Sequence, residues 1–307
     1  MDCLLKTTEN PTGRVIANHG ARLLVRDAEG HIHRCVALKK LGLVVTGDAV
    51  EWQPQASGDA RVTQLLPRQS LLQRPDRRGK LKPVAANLTR LVIVSAPEPG
   101  IDTLLIDQYI AAAEHANIEA LIAVNKHDLL DAAQQDDVDA LLNVYRSIGY
   151  ETQCVSARST SALAPLADTL SNHISILVGQ SGVGKSSIVQ QLFPDLDIQI
   201  GALSAASGSG AHTTTVTSWY DLPSGGALID SPGVRQFAID YLGPAELAVG
   251  FREIRETAVG CRFNNCTHLH EPNCAVRAAV DAKHISAERY ANYCKLMREL
   301  NPAHPSS

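Results

Sequence analysis

The stretch Gly179-Gln180-Ser181-Gly182-Val183-Gly184-Lys185-Ser186 satisfies G-x-x-x-x-G-K-[ST] at every fixed position. Glycines at these positions let the backbone curl, so that successive N–H groups point inward at phosphate oxygens. A following helix adds the positive end of its dipole. Lys185 is placed to reach the outer phosphates, Ser186 to ligate Mg²⁺, and Ser187 to close the set. A second group is Asn125-Lys126-His127-Asp128, directly after the apolar run Ala120–Val124. The Asp128 carboxylate can accept from two adjacent N–H donors on a base edge, as guanine N1 and N2 present and adenine does not. A carboxylate left unpaired against the wrong base is costly, so such a site discriminates. Lys126 is expected to lie along the base and Asn125 to brace the loop, with His127 in the free position. Ser156-Ala157, at the next strand end, fits a second base-side loop whose backbone N–H would meet guanine O6.

Two further segments extend the phosphate chemistry. Asp230-Ser231-Pro232-Gly233 matches D-x-x-G, with Asp230 expected to hold Mg²⁺ through water and the Gly233 N–H to sense a terminal phosphate. The Gly/Ser/Ala-rich segment Ser207–Thr215 ends in His212-Thr213-Thr214-Thr215. A threonine there can give Mg²⁺ a second hydroxyl, and Thr214 is the expected one. Val234 occupies the position where a water-orienting Gln is common, and valine cannot orient water. Hydrolysis at this site would need another group, and His212 is the candidate.

A fourth cluster is chemically separate. Cys261, Cys266 and Cys274, with His268 and His270, put three thiolates and two imidazoles within fourteen residues. Three cysteines and one histidine make a closed tetrahedral zinc set, and spacing alone does not choose between His268 and His270. The remaining cysteines, Cys3, Cys35, Cys154 and Cys294, are scattered. The N-terminus lacks the basic start and sustained apolar core of an export signal, so the crowded trio is expected to hold metal rather than form disulfides.

The elements that must position these groups follow from hydrophobic periodicity. Residues 13–66 read as about five short strands with Gly-containing turns, a small barrel of OB or SH3-like type. Residues 68–82 carry Arg68, Arg74, Arg77, Arg78, Lys80 and Lys82 against one acid, Asp76, and Pro75, Gly79 and Pro83 predict a basic loop or linker. As a phosphate-contact segment it would gain affinity by counterion release. From Leu88 the pattern alternates strand and helix: Leu91–Val94, a helix over 102–116 capped by Asp102, Ala120–Val124, a helix near 138–147, Thr152–Val155, a helix near 162–171, then Ile174–Val178 into the phosphate loop. That alternation predicts a parallel, doubly wound sheet. Strands Val216–Leu222 and Ala227–Ile229 follow the mobile-by-composition segment, and helical pattern resumes at Pro244, 275–280 and 286–300.

The 307-residue chain is 45% hydrophobic and 20% charged, with no apolar run long enough to span a bilayer. Its net charge of −4 hides an asymmetry. Residues 1–90 carry 15 Lys/Arg against 8 Asp/Glu, and the rest 13 against 24. A basic module beside an acidic one points to a polyanion partner at the N-terminal end.

The order of the motifs is rotated: base-reading segments at 125 and 156 precede the phosphate loop at 179 and Asp230. A circular permutation preserves a sheet when the old termini lie close together. It also sets Asp230–Gly233 directly before the cysteine cluster, so nucleotide state could move that domain relative to the barrel. With N-K-x-D, G-Q-S-G-V-G-K-S-S, G-x-G-x-H-T-T-T, D-S-P-G-V and C-x4-C-x-H-x5-C together, the sequence closely resembles the circularly permuted, small-ribosomal-subunit-dependent GTPases of the RsgA (YjeQ/EngC) family. The resemblance covers nearly the whole chain. It implies an OB-fold barrel with its basic linker over 1–85, a permuted GTPase domain over 86–242 and a mostly helical zinc-binding domain over 243–307. It implies one structural zinc on Cys261, Cys266, His268 and Cys274, and Mg²⁺ with GTP on Ser186, Thr214 and Asp230. It also implies cytoplasmic GTP hydrolysis by a monomer, stimulated by the small subunit during late maturation and in contact with rRNA, with His212, Lys185 and Thr214 as catalytic candidates. Asn273 departs from the family's usual Gly after Glu-Pro. Two other readings stand beside this one: a zinc- and RNA-binding module whose pocket only switches conformation, kept open by Val234, and an ATP-using P-loop enzyme, opposed by Asp128.

Overall fold

The computed structural model describes residues 10–300 apart from 21, 57, 77, 194–216 and 231–240. The N-terminal strands β1 (Thr12–Asn18), β2 (Leu23–Arg26), β3 (Ile32–Ala37), β4 (Ala49–Gln53) and β5 (Ala60–Leu65) run in the order β1-β2-β3-β5-β4, and β4 pairs back onto β1. The five strands therefore close into a barrel of OB type. Only β3 and β5 are parallel; the other pairs are antiparallel. Strand alternation sends Val15, Leu23, Val25, Cys35, Val50, Trp52 and Val62 inward as its core.

Residues 68–82 are not the irregular linker that their prolines and charge predict. They form most of a hairpin, β6 (Leu71–Pro75) with β7 (Leu81–Ala86). The turn is set by Asp76, whose carboxylate accepts the N–H groups of Arg78 (2.8 Å) and Lys80 (3.0 Å) while its carbonyl accepts that of Gly79 (2.9 Å). Pro75 ends one strand, and Pro83 faces Gln73 beside a register shift. A two-stranded ribbon has free edges, so proline is tolerated there. Arg68 stands apart from the basic group: it donates to the buried Asp48 at 2.7 and 2.8 Å and anchors the barrel.

The central sheet orders β10 (Glu151–Cys154), β9 (Glu119–Val124), β8 (Arg90–Ser95), β11 (Ile174–Val178) and β13 (Ala227–Asp230), all parallel. Helices α1 (Thr103–His115), α2 (Ala132–Ile148), α3 (Thr160–Leu170) and α4 (Lys185–Leu192) connect them. The buried strands alternate between two cores, with Leu91 and Ile93 of β8 in one and Val92 and Val94 in the other, as a sheet covered on both faces requires. Asp102 caps α1 by accepting from Leu105 N–H at 3.0 Å. Helix α2 starts six residues before the apolar periodicity suggests, because Asp131 and Gln134 form a capping box. β12 (Ser218–Asp221), for which the sequence reading set no orientation, runs antiparallel to β13. The connection is a tight turn, closed by Gly225 N–H on Leu222 O, and a turn that short can only join antiparallel strands. β12 then meets β1 of the barrel at Ala17 and Ser218, so barrel and sheet are continuous over eleven strands.

The C-terminal part is helical: α5 (Pro244–Val249), α6 (Arg252–Ala258), α7 (Ala275–Asp281) and α8 (Ala287–Leu300). Its joint with α1 is the fully buried Arg289. The guanidinium donates to both carboxylate oxygens of Glu253 on α6 (2.6 and 3.1 Å) and to Asp107 on α1 (2.5 Å), with Phe251, Tyr145 and Tyr150 around it. Asp107 also accepts from Asn292 (2.8 Å) and Tyr145 (3.1 Å). Every buried charge here has a partner, as burial demands.

Candidate functional site

Asn125, Asp128, Ser156 and the phosphate loop come from the C-terminal ends of β9, β10 and β11, where doubly wound sheets hold ligands. Asn125 is 1% exposed. Its amide nitrogen donates to Val183 O in the phosphate loop at 2.9 Å, and its amide oxygen accepts Ala157 N–H at 3.0 Å. One side chain thus ties together three segments that lie far apart in sequence. Glycine at 184 is what allows it: φ there is +93°, and a Cβ would stand 2.3 Å from the Asn125 amide nitrogen. Gly179 is constrained in the same way, since a Cβ would stand 2.0 Å from Val94 O. The expected bracing role of Asn125 is visible. Of the Ser156-Ala157 loop, whose backbone N–H is expected at the base, the Ala157 N–H is engaged by Asn125.

Helix α4 starts at Lys185 with Gly184 as N-cap and no side-chain cap, which leaves its first amides for an anion. Lys185 Nζ donates to Gly179 O (2.7 Å) and Gln180 O (2.5 Å), within the curl that would hold phosphates. Val183 is buried, while Gln180 is half-buried and Ser181, Gly182, Ser186 and Ser187 line the open side. Asp230 ends β13 half-buried, opposite Ser218. His212, Thr214, Gly233 and Val234 lie outside the described residues.

Asp128 is the most strongly prepared of the base-side groups. Ser156 Oγ donates to its Oδ1 at 2.5 Å and Arg158 NH1 to its Oδ2 at 3.1 Å. The Ser156 hydroxyl first, and Arg158 second, hold its carboxyl below the ordinary carboxylate value. Lys126 sits in a left-handed backbone conformation, φ 61°, and its Nζ donates to Glu98 O at 2.9 Å. His127 opens a short 3₁₀ turn after it. The sequence reading missed the loop Pro97-Glu98-Pro99-Gly100, which contributes through a backbone carbonyl and so carries no side-chain signature. It also missed Arg158, whose position directly after Ser156-Ala157 is the one available signal.

The second site lies in the C-terminal part. Cys261, Cys266, His268 and Cys274 bring one ligand atom each to within 4.8 Å of one another. Cys261 Sγ and Cys274 Sγ are 3.9 Å apart, and each is 3.5 Å from His268 Nδ1. These are the edges of a tetrahedron with metal–sulfur bonds of about 2.3 Å and metal–nitrogen bonds of about 2.1 Å, so the four residues fit a metal ion. His268 is 4% exposed and His270 is exposed, which decides between them. The loop is fixed from outside. Tyr290 and Tyr293 hydroxyls donate to His268 O (2.6 Å) and Thr267 O (3.0 Å). Burial alone would raise the Glu271 carboxyl, yet the Thr267 hydroxyl and the Thr267 and His270 amides hold it down at about 2. Asn273 adopts φ 57°, the left-handed region that glycine favours and asparagine tolerates, so its departure from the family's Gly keeps the turn.

A family model described as RsgA GTPase matches residues 65–240. A Pseudomonas aeruginosa (strain PAO1) protein named small ribosomal subunit biogenesis GTPase RsgA is 45% identical over 289 residues, which cover 94% of this chain and 85% of the relative. Its namesake from Marinobacter nauticus is 43% identical over 294 residues, covering 94% and 84%. Among solved structures, YjeQ from Thermotoga maritima superposes with a TM-score of 0.80 at 30% identity, covering 95% of this chain and 98% of that one. YloQ, described as a circularly permuted GTPase, gives 0.78 at 25% identity, with 99% of each covered.

Proposed function

The chain belongs to the RsgA GTPase family, and from that premise we propose that it hydrolyses GTP to GDP and phosphate in the biogenesis of the small ribosomal subunit. The observation that carries this reading is Asn125, which locks the base-reading loop, the Ser156-Ala157 loop and the phosphate loop into one site. Asp128 reads the guanine N1 and N2 donors, Lys126 lies along the base, and Ser156 and Ala157 frame its edge with His127. Gly179 to Ser187 wrap the phosphates with their amides. Lys185 leaves the Gly179 and Gln180 carbonyls for the β- and γ-phosphate oxygens.

Ser186, Thr214 and Asp230 would hold Mg²⁺, which supplies charge neutralisation on the transferred phosphoryl group. Gly233 senses that phosphate, and His212 stands in for the missing water-orienting Gln. In the C-terminal domain the Cys₃His set is read as structural zinc, since all four positions are filled by protein ligands. We read the chain as a barrel with its basic hairpin over 1–85, a permuted GTPase domain over 86–242 and a zinc-binding domain over 243–307. The basic hairpin β6–β7, with Arg74, Arg78, Lys80 and Lys82, is suited to the rRNA backbone. A cytoplasmic monomer meets these requirements, and no helix among the described residues is long and apolar enough to cross a membrane.

GTP turnover by the full chain, titrated with purified small subunits, tests the proposal. Turnover should be slow alone, rise with added subunits, and fall in both conditions on Lys185→Ala. GTP binding without turnover at any subunit concentration would favour the conformational-switch reading instead.

A further inference from the structure

Asp128 is the group on which guanine selection depends, and its two carboxylate oxygens have separate owners. Oδ1 accepts the Ser156 hydroxyl at 2.5 Å, and Oδ2 accepts the Arg158 guanidinium at 3.1 Å. Ser156 and Arg158 come from the loop after β10, whereas Asp128 belongs to the loop after β9. The backbone between these loops is already fixed through Asn125 and Ala157, and by His127 N–H on Val155 O at 3.2 Å. Arg158 therefore adds nothing the loops need in order to stand together. What it acts on is the carboxylate itself. A carboxylate oxygen has two lone-pair directions, so each oxygen of Asp128 keeps one for the base after Ser156 and Arg158 have taken theirs.

We propose that Arg158 is a specificity-positioning residue: it fixes the plane and charge of the Asp128 carboxylate so that the second lone pair of each oxygen faces the N1–H and N2–H of guanine. This rests on the guanine reading given above and deepens it. Two consequences separate it from a merely structural contact. The Arg158 side chain is 76% exposed, so its effect is modest and screened by salt. Its whole effect also runs through Asp128, so it disappears when that carboxylate is replaced.

The experiment is a pair of equilibrium titrations with fluorescent GDP and XDP (xanthosine diphosphate) on the full chain, together with GTP turnover. Arg158→Ala should weaken GDP binding about 3- to 5-fold at 50 mM salt, and the difference should close by 0.5 M. Turnover at saturating GTP should be unchanged while KM rises by the same factor. Arg158→Lys keeps the positive charge and should recover most of the affinity. In the Asp128→Asn background, which should prefer XDP, the same Arg158→Ala change should alter XDP binding less than twofold. An unchanged or tightened Kd for GDP, or an equal loss in the Asp128→Asn background, overturns the role of Arg158 alone. A parent chain that binds adenine and guanine nucleotides equally overturns the guanine reading beneath it.

Discussion

The central sheet carries two neighbours, and it holds them by opposite means. The metal-bearing helices dock through Arg289, which is 2% exposed and paired with Asp107 and Glu253 from two different helices. The barrel docks through β12. There the guanidinium groups of Arg14 and Arg26 each lie 5.6 Å from the Trp219 ring centroid, and Arg26 pairs with Asp221. That pair is open to water, with Asp221 55% exposed, and among the described residues the strand pairing between the two bodies is the single match of Ala17 with Ser218. Thr46 Oγ1 adds one hydrogen bond to Thr217 O at 2.9 Å. A buried charge network tolerates only one geometry, because separating its partners strands charges in an apolar core. An exposed ion pair exchanges its partner for water at little cost. The contrast lies in the polar contacts of the two joints, since Ile16, Ala17 and Leu24 of the barrel share one buried core with Trp219 and the central sheet.

The largest test removes the metal. The four candidate ligands lie between α6 and α7, with little other core in that loop, so a metal ion held there would supply most of its order; structural zinc sites contribute on the order of 10 kcal/mol. Chelation, or Cys274→Ser, should speed hydrogen exchange over residues 252–300 and leave exchange in β8, β9 and β11 unchanged. Equal loss in both regions would mean that the two bodies fold as one unit. Next is Arg289→Ala, which leaves Asp107 and Glu253 buried without a counter-charge. It should cost about 3–5 kcal/mol in denaturant unfolding, and added salt should not restore it.

How much of this was legible in the sequence depends on what each interaction needed. Strand and helix positions followed from periodicity, and the phosphate loop, Asn125 to Asp128 and the cysteine cluster followed from side-chain chemistry at fixed spacing. The hairpin at 71–86 was hidden because proline and charge argue for a loop, and only the Asp76 turn and the free edges of a two-stranded ribbon reverse that argument. Helix α2 began early because a capping box outweighs a polar first turn. His268 and His270 share the same chemistry, and burial distinguished them. Glu98 could not be read at all, since a backbone carbonyl is common to every residue. Arg289 looks in sequence like any helical arginine; its two acids lie 36 and 182 residues away.

The smallest expected effect sharpens the comparison most, because it asks whether the barrel joint is weak by design of its contacts. Arg26 and Asp221 form a two-pronged pair at the surface, and Asp221 also accepts the Trp219 indole N–H at 2.8 Å. Arg26→Ala removes the pair and one of the two cations near the Trp219 ring. Exposed pairs of this kind contribute about 0.2–1 kcal/mol, and an exposed cation over an aromatic ring about as much. Unfolding of the full chain should therefore fall by about 1 kcal/mol at low salt and by less at 0.5 M. Asp221→Asn, which keeps an acceptor for the indole, should cost less than Arg26→Ala. A loss of 3 kcal/mol or more, insensitive to salt, would place the barrel joint in the same class as Arg289 and remove the contrast between the two.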